Sequence, residues 1–325
     1  MPISCWYYKA FLLNNRPFNN GVLACERMTI KTVYYGFRIA FVGLLFWFLS
    51  VPTATIWAQG GTGGIAGARG AGMANTWAAY EGLESVWGNA SGMVFSPKPD
   101  IDTTNTRNNE RKSEQRLSAG VFAERRFNIA EIQYTGFGAM LPVGQSGAFG
   151  LAVTALGDAR YGETKAGFSY ARRLAKGFSL GIQLDYLNAH VVDYGTNAAL
   201  TFEVGIDAHL SKEVRLGAHI YNPTRTRINT TDYLPTVFAL SGAYTPNRNV
   251  CFTVQFEQDP RYTPTLKAGL EYHILRFVDV RAGVATTLNY ASFGVGIHLR
   301  RFRLDIATEL HQILGLTPCV GIVFR

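Results

Sequence analysis

The chain has 325 residues, of which only 17% are charged, against about a quarter in ordinary globular proteins. It carries 34 glycines, is 13% aromatic and has a net charge of +8. Lys9, Arg16, Arg27, Lys31, Arg38 and a single acid, Glu26, precede position 59, so the remainder holds 26 basic residues against 22 acidic ones, a net +4. That is too mild to argue for a nucleic-acid partner, and none is expected.

The chain opens on a targeting signal. MTIKTVYYGFR (28–38) is a basic leader start, and IAFVGLLFWFLSV (39–51) is an apolar run too short for the ~20 residues of a spanning helix. Cleavage is expected after Ala58, so residues 1–58 comprise an upstream extension and a signal peptide. Met28 fits the start of a normal leader. Cys5 and Cys25 fall in this segment; Cys251 and Cys319 remain, too far apart for a metal motif or a disulfide framework, and they read as small wall side chains unless the fold brings them together to pair.

Residues 59–95 are rich in Gly and Ala, and 96–116 are polar and read as a loop. From 117 to 325 the period is two, with no convincing helical run. Alternation and turn residues predict fourteen strands, near 117–124, 127–141, 147–157, 162–174, 177–192, 196–210, 213–222, 232–246, 249–258, 263–275, 277–287, 290–300, 301–311 and 316–325. In RFRLDIATELH (301–311), Arg301, Arg303, Asp305, Glu309 and His311 share one parity and Phe302, Leu304, Ile306 and Leu310 the other.

The connections also alternate. Short ones carry Lys176, Lys212, Arg248, Arg276 and Arg300, whereas 222–235 and 258–265 are longer. Apolar faces four or five positions long match a tilted strand crossing hydrocarbon. Aromatics near strand ends (Tyr161, Tyr170, Tyr186, Tyr194, Tyr221, Tyr233, Tyr262, Phe277 and Tyr290) suit interfacial girdles. With the leader and the even strand count, these features predict an all-β, antiparallel transmembrane barrel, closed because lipid cannot satisfy an open edge. A charge at Ile306 is then expected to impair assembly more than one at Asp305.

The segment GARGAGMANTWAAYEGLESVWGNASGM (67–93) resembles the N-terminal element of the FadL-like outer-membrane proteins, in the branch that includes the PorV proteins of Bacteroidota. Gly67, Ala68, Arg69, Gly72, Met73, Asn89, Gly92 and Met93 match its pattern; Ala90 stands where proline is expected and Ser91 where alanine is. The likeness continues through YGETKAGFSYARRL (161–174), IYNPT (220–224), DYLPTVFALSGAYTPN (232–247) and RLDIATELHQILGLTP (303–318). It implies a fourteen-stranded barrel in the outer membrane of a Gram-negative bacterium, with residues 59–95 as a plug inside. Members of the group pass hydrophobic compounds across that membrane or, like PorV, serve the type IX secretion system. Its implied partners are therefore outer-membrane lipid, a hydrophobic ligand or secretion-system proteins.

No catalytic or metal motif stands out, so no enzyme activity, cofactor or metal is expected: the six histidines show no HExxH spacing, and the glycine-rich start lacks the Gly-Lys-Ser/Thr of a phosphate loop. Polar residues on the inward parity are Glu203, Asp207, His209, Lys267, Glu271, His273, Asp279, Arg281, His298, Arg303, Asp305, Glu309 and His311. Their mixed signs predict an ion-paired interior that braces plug against wall. Transport of a hydrophobic molecule is the leading expectation, and binding of secretion partners through loop 222–235 (Arg225, Arg227, Tyr233) is the alternative.

Overall fold

A strand with one apolar and one ionic face must separate two environments, and in lipid it must also leave no edge unpaired. A computed structural model describes residues 67–95 and 117–324, with 145, 194, 230–232 and 287–289 excepted. The leader, its cleavage position, residues 59–66 of the expected plug and segment 96–116 lie outside the described residues. The strands are β1 (Ser118–Arg125), β2 (Gln133–Val143), β3 (Gly147–Gly157), β4 (Tyr161–Ala175), β5 (Phe178–Val191), β6 (Gly195–His209) and β7 (Val214–Tyr221). They continue as β8 (Val237–Asn247), β9 (Val250–Gln258), β10 (Thr265–Leu275), β11 (Val278–Ala285), β12 (Tyr290–Leu299), β13 (Phe302–His311) and β14 (Gly315–Phe324). Each pairs antiparallel with its sequence neighbours, and β1 closes on β14 from Ala119↔Phe324 to Glu124↔Cys319. The result is a closed fourteen-stranded barrel.

The two faces differ as the alternation requires. Along β13, Phe302, Ile306 and Leu310 are exposed while Arg303, Asp305 and His311 are buried. Val121, Phe137, Leu151, Phe168, Leu184, Phe293 and Val320 are likewise exposed on other strands. A continuous apolar exterior around a charged interior is the inverse of a water-soluble protein, and it identifies a membrane-spanning wall.

Turns at one rim are tight (176–177, 248–249, 276–277 and 300–301), and this is the rim where the chain enters at β1 and where β14 ends. The opposite rim carries 126–132, 222–236 and 259–264. We call these the inner and outer rims.

Several boundaries differ from the sequence expectation. β2 starts at Gln133 rather than 127 because Arg126–Asn128 form a 3-10 turn in which Phe127 and Asn128 have φ of 53° and 57°. The Phe127 N–H donates to Thr317 Oγ1 of β14 at 2.9 Å, so the turn covers the stretch of β14 that β1 is too short to reach. β8 starts at Val237 rather than 232 because the preceding loop folds inward. Tyr221 is buried on the lumenal side, and Tyr290 turns its hydroxyl inward to Glu309. Neither belongs to an interfacial girdle, whereas Tyr161, Tyr170, Tyr186, Tyr233 and Phe277 are exposed. Tyr194 lies outside the described residues. Cys251 and Cys319 are free thiols.

Candidate ligand cavity and the plug beneath it

Residues 67–95 run inside the barrel as a helical turn, Gly67–Ala71, followed by the 3-10 turns Gly82–Trp87 and Ala90–Val94. Nearly all of them are buried. Their backbone lies directly on the wall where the wall has glycine. A Cβ at Gly217 would overlap the Ala78 carbonyl, and one at Gly205 would overlap the Asn89 side-chain amide.

Asn89 organises the inner part of this plug. Its Oδ1 accepts from Ser91 N at 3.3 Å and Ser91 Oγ at 2.6 Å, capping the turn at Ala90 without the proline that the family pattern has there. Its Nδ2 donates to Ala78 O at 2.7 Å and to Ile206 O of β6 at 3.0 Å. Of the other motif positions, Gly67 (φ +71°) packs by Trp87, Ala68 faces Gly321, Gly72 lies against Gly294, and Gly92 abuts the Tyr80 carbonyl. Met73 and Met93 are among the largest fully buried side chains.

The inward-facing charges form several separate groups rather than one network. The largest links plug to wall. Arg69 binds Glu271 through two nitrogens (2.7 and 2.9 Å), and Arg281 meets the same carboxylate at 2.6 Å. Arg281 also reaches Asp305 at 2.7 Å and Asp279 at 3.0 Å, while Arg303 joins Asp305 at 2.7 Å to Glu84 of the plug. His273 and His298 flank Asp279 at 2.5 and 2.6 Å. Elsewhere Arg215 and His209 hold Glu81 at 2.5 and 3.2 Å, with Asp207 3.5 Å from His209. Asn75 donates to Glu309 at 2.8 Å. Lys267 pairs with Glu257, and Glu203 with Lys165 and His219. His311 stands apart, accepting from the backbone of Ile313 and Leu314 in its own turn. Among the described residues no cluster has the makings of a metal site.

Burial would raise the Glu81 carboxyl, but its hydrogen bonds from His209 and Arg215, with their charge, hold it down at about 2. The plug is thus clamped at its inner end by an ionised carboxylate.

Above the plug the lumen opens into a cavity of about 260 Å³. Trp87 is the plug residue that faces it. Tyr134, Leu156 and Leu187 form apolar wall, and Ile228 and Leu234 come from the loop 222–236. The polar lining includes Glu163, Lys165, Glu257, Asp259 and Arg261. β6 runs outward past the end of β7, whose pairing stops at Glu203↔Tyr221, so Gly195–Phe202 has a strand partner only in β5. The loop fills that notch: Leu234 and Ile228 pack against Leu187 and Ala199. Asn222, at φ 49°, pins it there, donating to Leu234 O at 3.0 Å and Pro235 O at 3.1 Å and accepting from Thr226 N and Thr201 Oγ1.

No protein-family model and no curated protein sequence matches the chain. Solved structures do. CymD, a monoaromatic hydrocarbon channel, superposes with a TM-score of 0.61 at 11% identity, covering 80% of this chain and 97% of that one. A Pseudomonas aeruginosa FadL homologue gives 0.57 at 12% identity (79% and 96% covered), and the Ralstonia pickettii toluene transporter TbuX gives 0.57 at 10% (79% and 96%). The chain has the FadL fold.

The cavity residues themselves were not legible in the sequence. Lys165, Glu163 and Trp87 sit in segments whose alternation or composition gave a face but no neighbour, and Asp259 and Arg261 lie in a loop with no periodicity. The shared parity of Glu163 and Lys165 on β4, and the polar parity of Glu257 on β9, were the available signals.

Proposed function

We propose that this protein is an outer-membrane barrel that takes up a small, predominantly apolar molecule from the outer face. The observation that carries this reading is the cavity of about 260 Å³ between Trp87 of the plug and Leu234 of the inward-folded loop. Concave, mostly apolar sites with a few placed polar groups are where small ligands bind. The likeness in fold to hydrocarbon channels and a toluene transporter supports the same reading. The notch beside β6 gives a side route into the cavity if Leu234 swings away, and onward passage requires the plug to shift from its ion pairs. Among the described residues nothing favours the secretion-associated alternative: in the loop proposed for partner contact, Arg227 is already engaged by the Tyr233 hydroxyl and stacked 4.6 Å from its ring.

The test is extraction and mass spectrometry of small molecules retained by the detergent-purified barrel, beside binding of added aromatic hydrocarbons. Leu234→Trp should fill the cavity and lower hydrocarbon affinity at least tenfold while the barrel still folds. Unchanged binding by that variant, or no binding by the parent, would exclude the cavity as the site.

A further inference from the structure

The cavity is not electrically neutral. Glu163, Glu257 and Asp259 are three carboxylates in its lining, against two cations, Lys165 and Arg261. Both cations are already committed. Lys165 Nζ lies 2.5 Å from Glu203 and 3.8 Å from Asp185. Arg261 is folded back on Asp259 through Nε at 3.1 Å and Nη2 at 2.8 Å. Partial burial would raise the Asp259 carboxyl, but hydrogen bonds from the Arg261 side chain and backbone outweigh it and leave it below the ordinary range. It is therefore ionised at neutral pH.

The carboxylates are less fully engaged. Glu163 accepts from the Tyr161 hydroxyl, a neutral donor. Glu257 receives Lys267 Nζ at 2.8 Å and Gln255 Nε2 at 3.0 Å, both on Oε2. With the neighbouring charges included, Lys165 meets Glu203, Lys267 meets Glu257 and Arg261 meets Asp259, which leaves Glu163 as the lining carboxylate that meets a neutral hydroxyl rather than a cation. A cleft with an excess of one sign and low-dielectric walls concentrates the opposite sign. The Tyr134 ring already carries the Arg126 guanidinium 5.2 Å from its centroid, so Trp87 is the lining aromatic that adds attraction for a cation.

We propose that the preferred ligand class of this cavity is an apolar or aromatic amine, a hydrophobic body carrying an ammonium group, and that the cavity discriminates against hydrophobic carboxylates. The volume suits such a molecule: a cavity of about 150 Å³ admits benzene, so about 260 Å³ leaves room for a ring and a short chain. The body would lie against Trp87, Leu187 and Leu234, and the ammonium would be drawn to Glu163 and Glu257. This inference rests on the cavity being a ligand site, as proposed above.

The experiment uses the full barrel in detergent at neutral pH with three probes of one shape: 4-phenylbutylamine, butylbenzene and 4-phenylbutyrate. Binding is followed by tryptophan fluorescence, since Trp87 faces the cavity, and by calorimetry. The expected order is amine, then hydrocarbon, then carboxylate, with amine and carboxylate at least about tenfold apart, as a charge-assisted contact implies. Glu163→Gln should reduce the ratio of amine to hydrocarbon affinity several-fold. Equal affinities, a carboxylate that binds tightest, or a ratio untouched by Glu163→Gln together with Glu257→Gln would overturn the amine preference while leaving the cavity as a site. Failure of all three probes to bind would instead overturn the cavity reading itself.

Discussion

Single residues show why the two faces of one strand fail in different ways. Ile306 is lipid-facing, paired across the wall with Val295 and Val320, and a lysine there costs roughly 2–4 kcal/mol near the bilayer centre. Asp305, one position away, sits between Arg281 and Arg303. A lysine at 305 would set three cations together, so the sequence-level contrast of two lysine variants is sharpened by using Asp305→Asn. Ile306→Lys should reduce the folded barrel recovered in membranes. Asp305→Asn should assemble but expose the plug to protease, because Arg303 and Arg281 lose the carboxylate that joins them. Membrane fractionation and limited proteolysis distinguish the two outcomes. Glu81 gives a pH dependence of definite sign. Its folded value of about 2 lies below the usual 4.5, so its stabilisation is complete above about 4.5 and is lost as the pH falls toward 2. Melting of the detergent-solubilised barrel between pH 5 and 2 should show a loss that Glu81→Gln makes smaller.

At the scale of elements, the loop 222–236 behaves as part of the lumen rather than as a solvated connection. Its register with the wall depends on one side chain, Asn222, which serves five partners from a left-handed backbone that asparagine tolerates better than alanine. Asn222→Ala loses those hydrogen bonds and adds backbone strain, roughly 2–3 kcal/mol of loop docking. Trypsin should then cut at Arg225 or Arg227 much faster than in the parent, with the barrel intact. Equal cleavage rates would mean that Leu234 and Ile228 hold the loop without Asn222. The plug is held differently, by ion pairs reaching β7, β10 and β13 and by backbone laid on wall glycines. Such pairs contribute little net stability but are costly to break singly.

For the molecule as a whole, the asymmetry between rims sets the orientation. Tight turns at the inner rim and the folded loop at the outer rim place Arg227 and Arg261 outside and Lys212 and Arg248 within, on the outer-membrane reading. Cysteines at 227 or 261 should react with a membrane-impermeant maleimide in intact cells, and cysteines at 212 or 248 only after lysis. The native Cys319 is buried and Cys251 partly so, which keeps the background low. The reverse pattern would invert the barrel and place the cavity on the wrong side for uptake.

Alternation alone was sufficient for the number of strands, the antiparallel order and the charged interior, because period-two patterning is local and each strand carries its own copy of it. The start of β2 was misjudged because Phe127 and Asn128 continue an apolar-polar pattern while their backbone turns left-handed to reach Thr317. Tyr221 and Tyr290 were misplaced because a strand-end aromatic can face either side, and only its neighbours decide. The ion pairs join residues such as Arg69 with Glu271 and Glu84 with Arg303, which no periodicity connects. The cavity is more remote still from the sequence, being the space left where the plug stops at Trp87 and the loop folds in at Leu234. The sequence by itself determined a closed membrane barrel with a polar lumen; the tertiary structure decided which charges meet and where the lumen stays empty, because both depend on segments far apart in the chain filling the same volume.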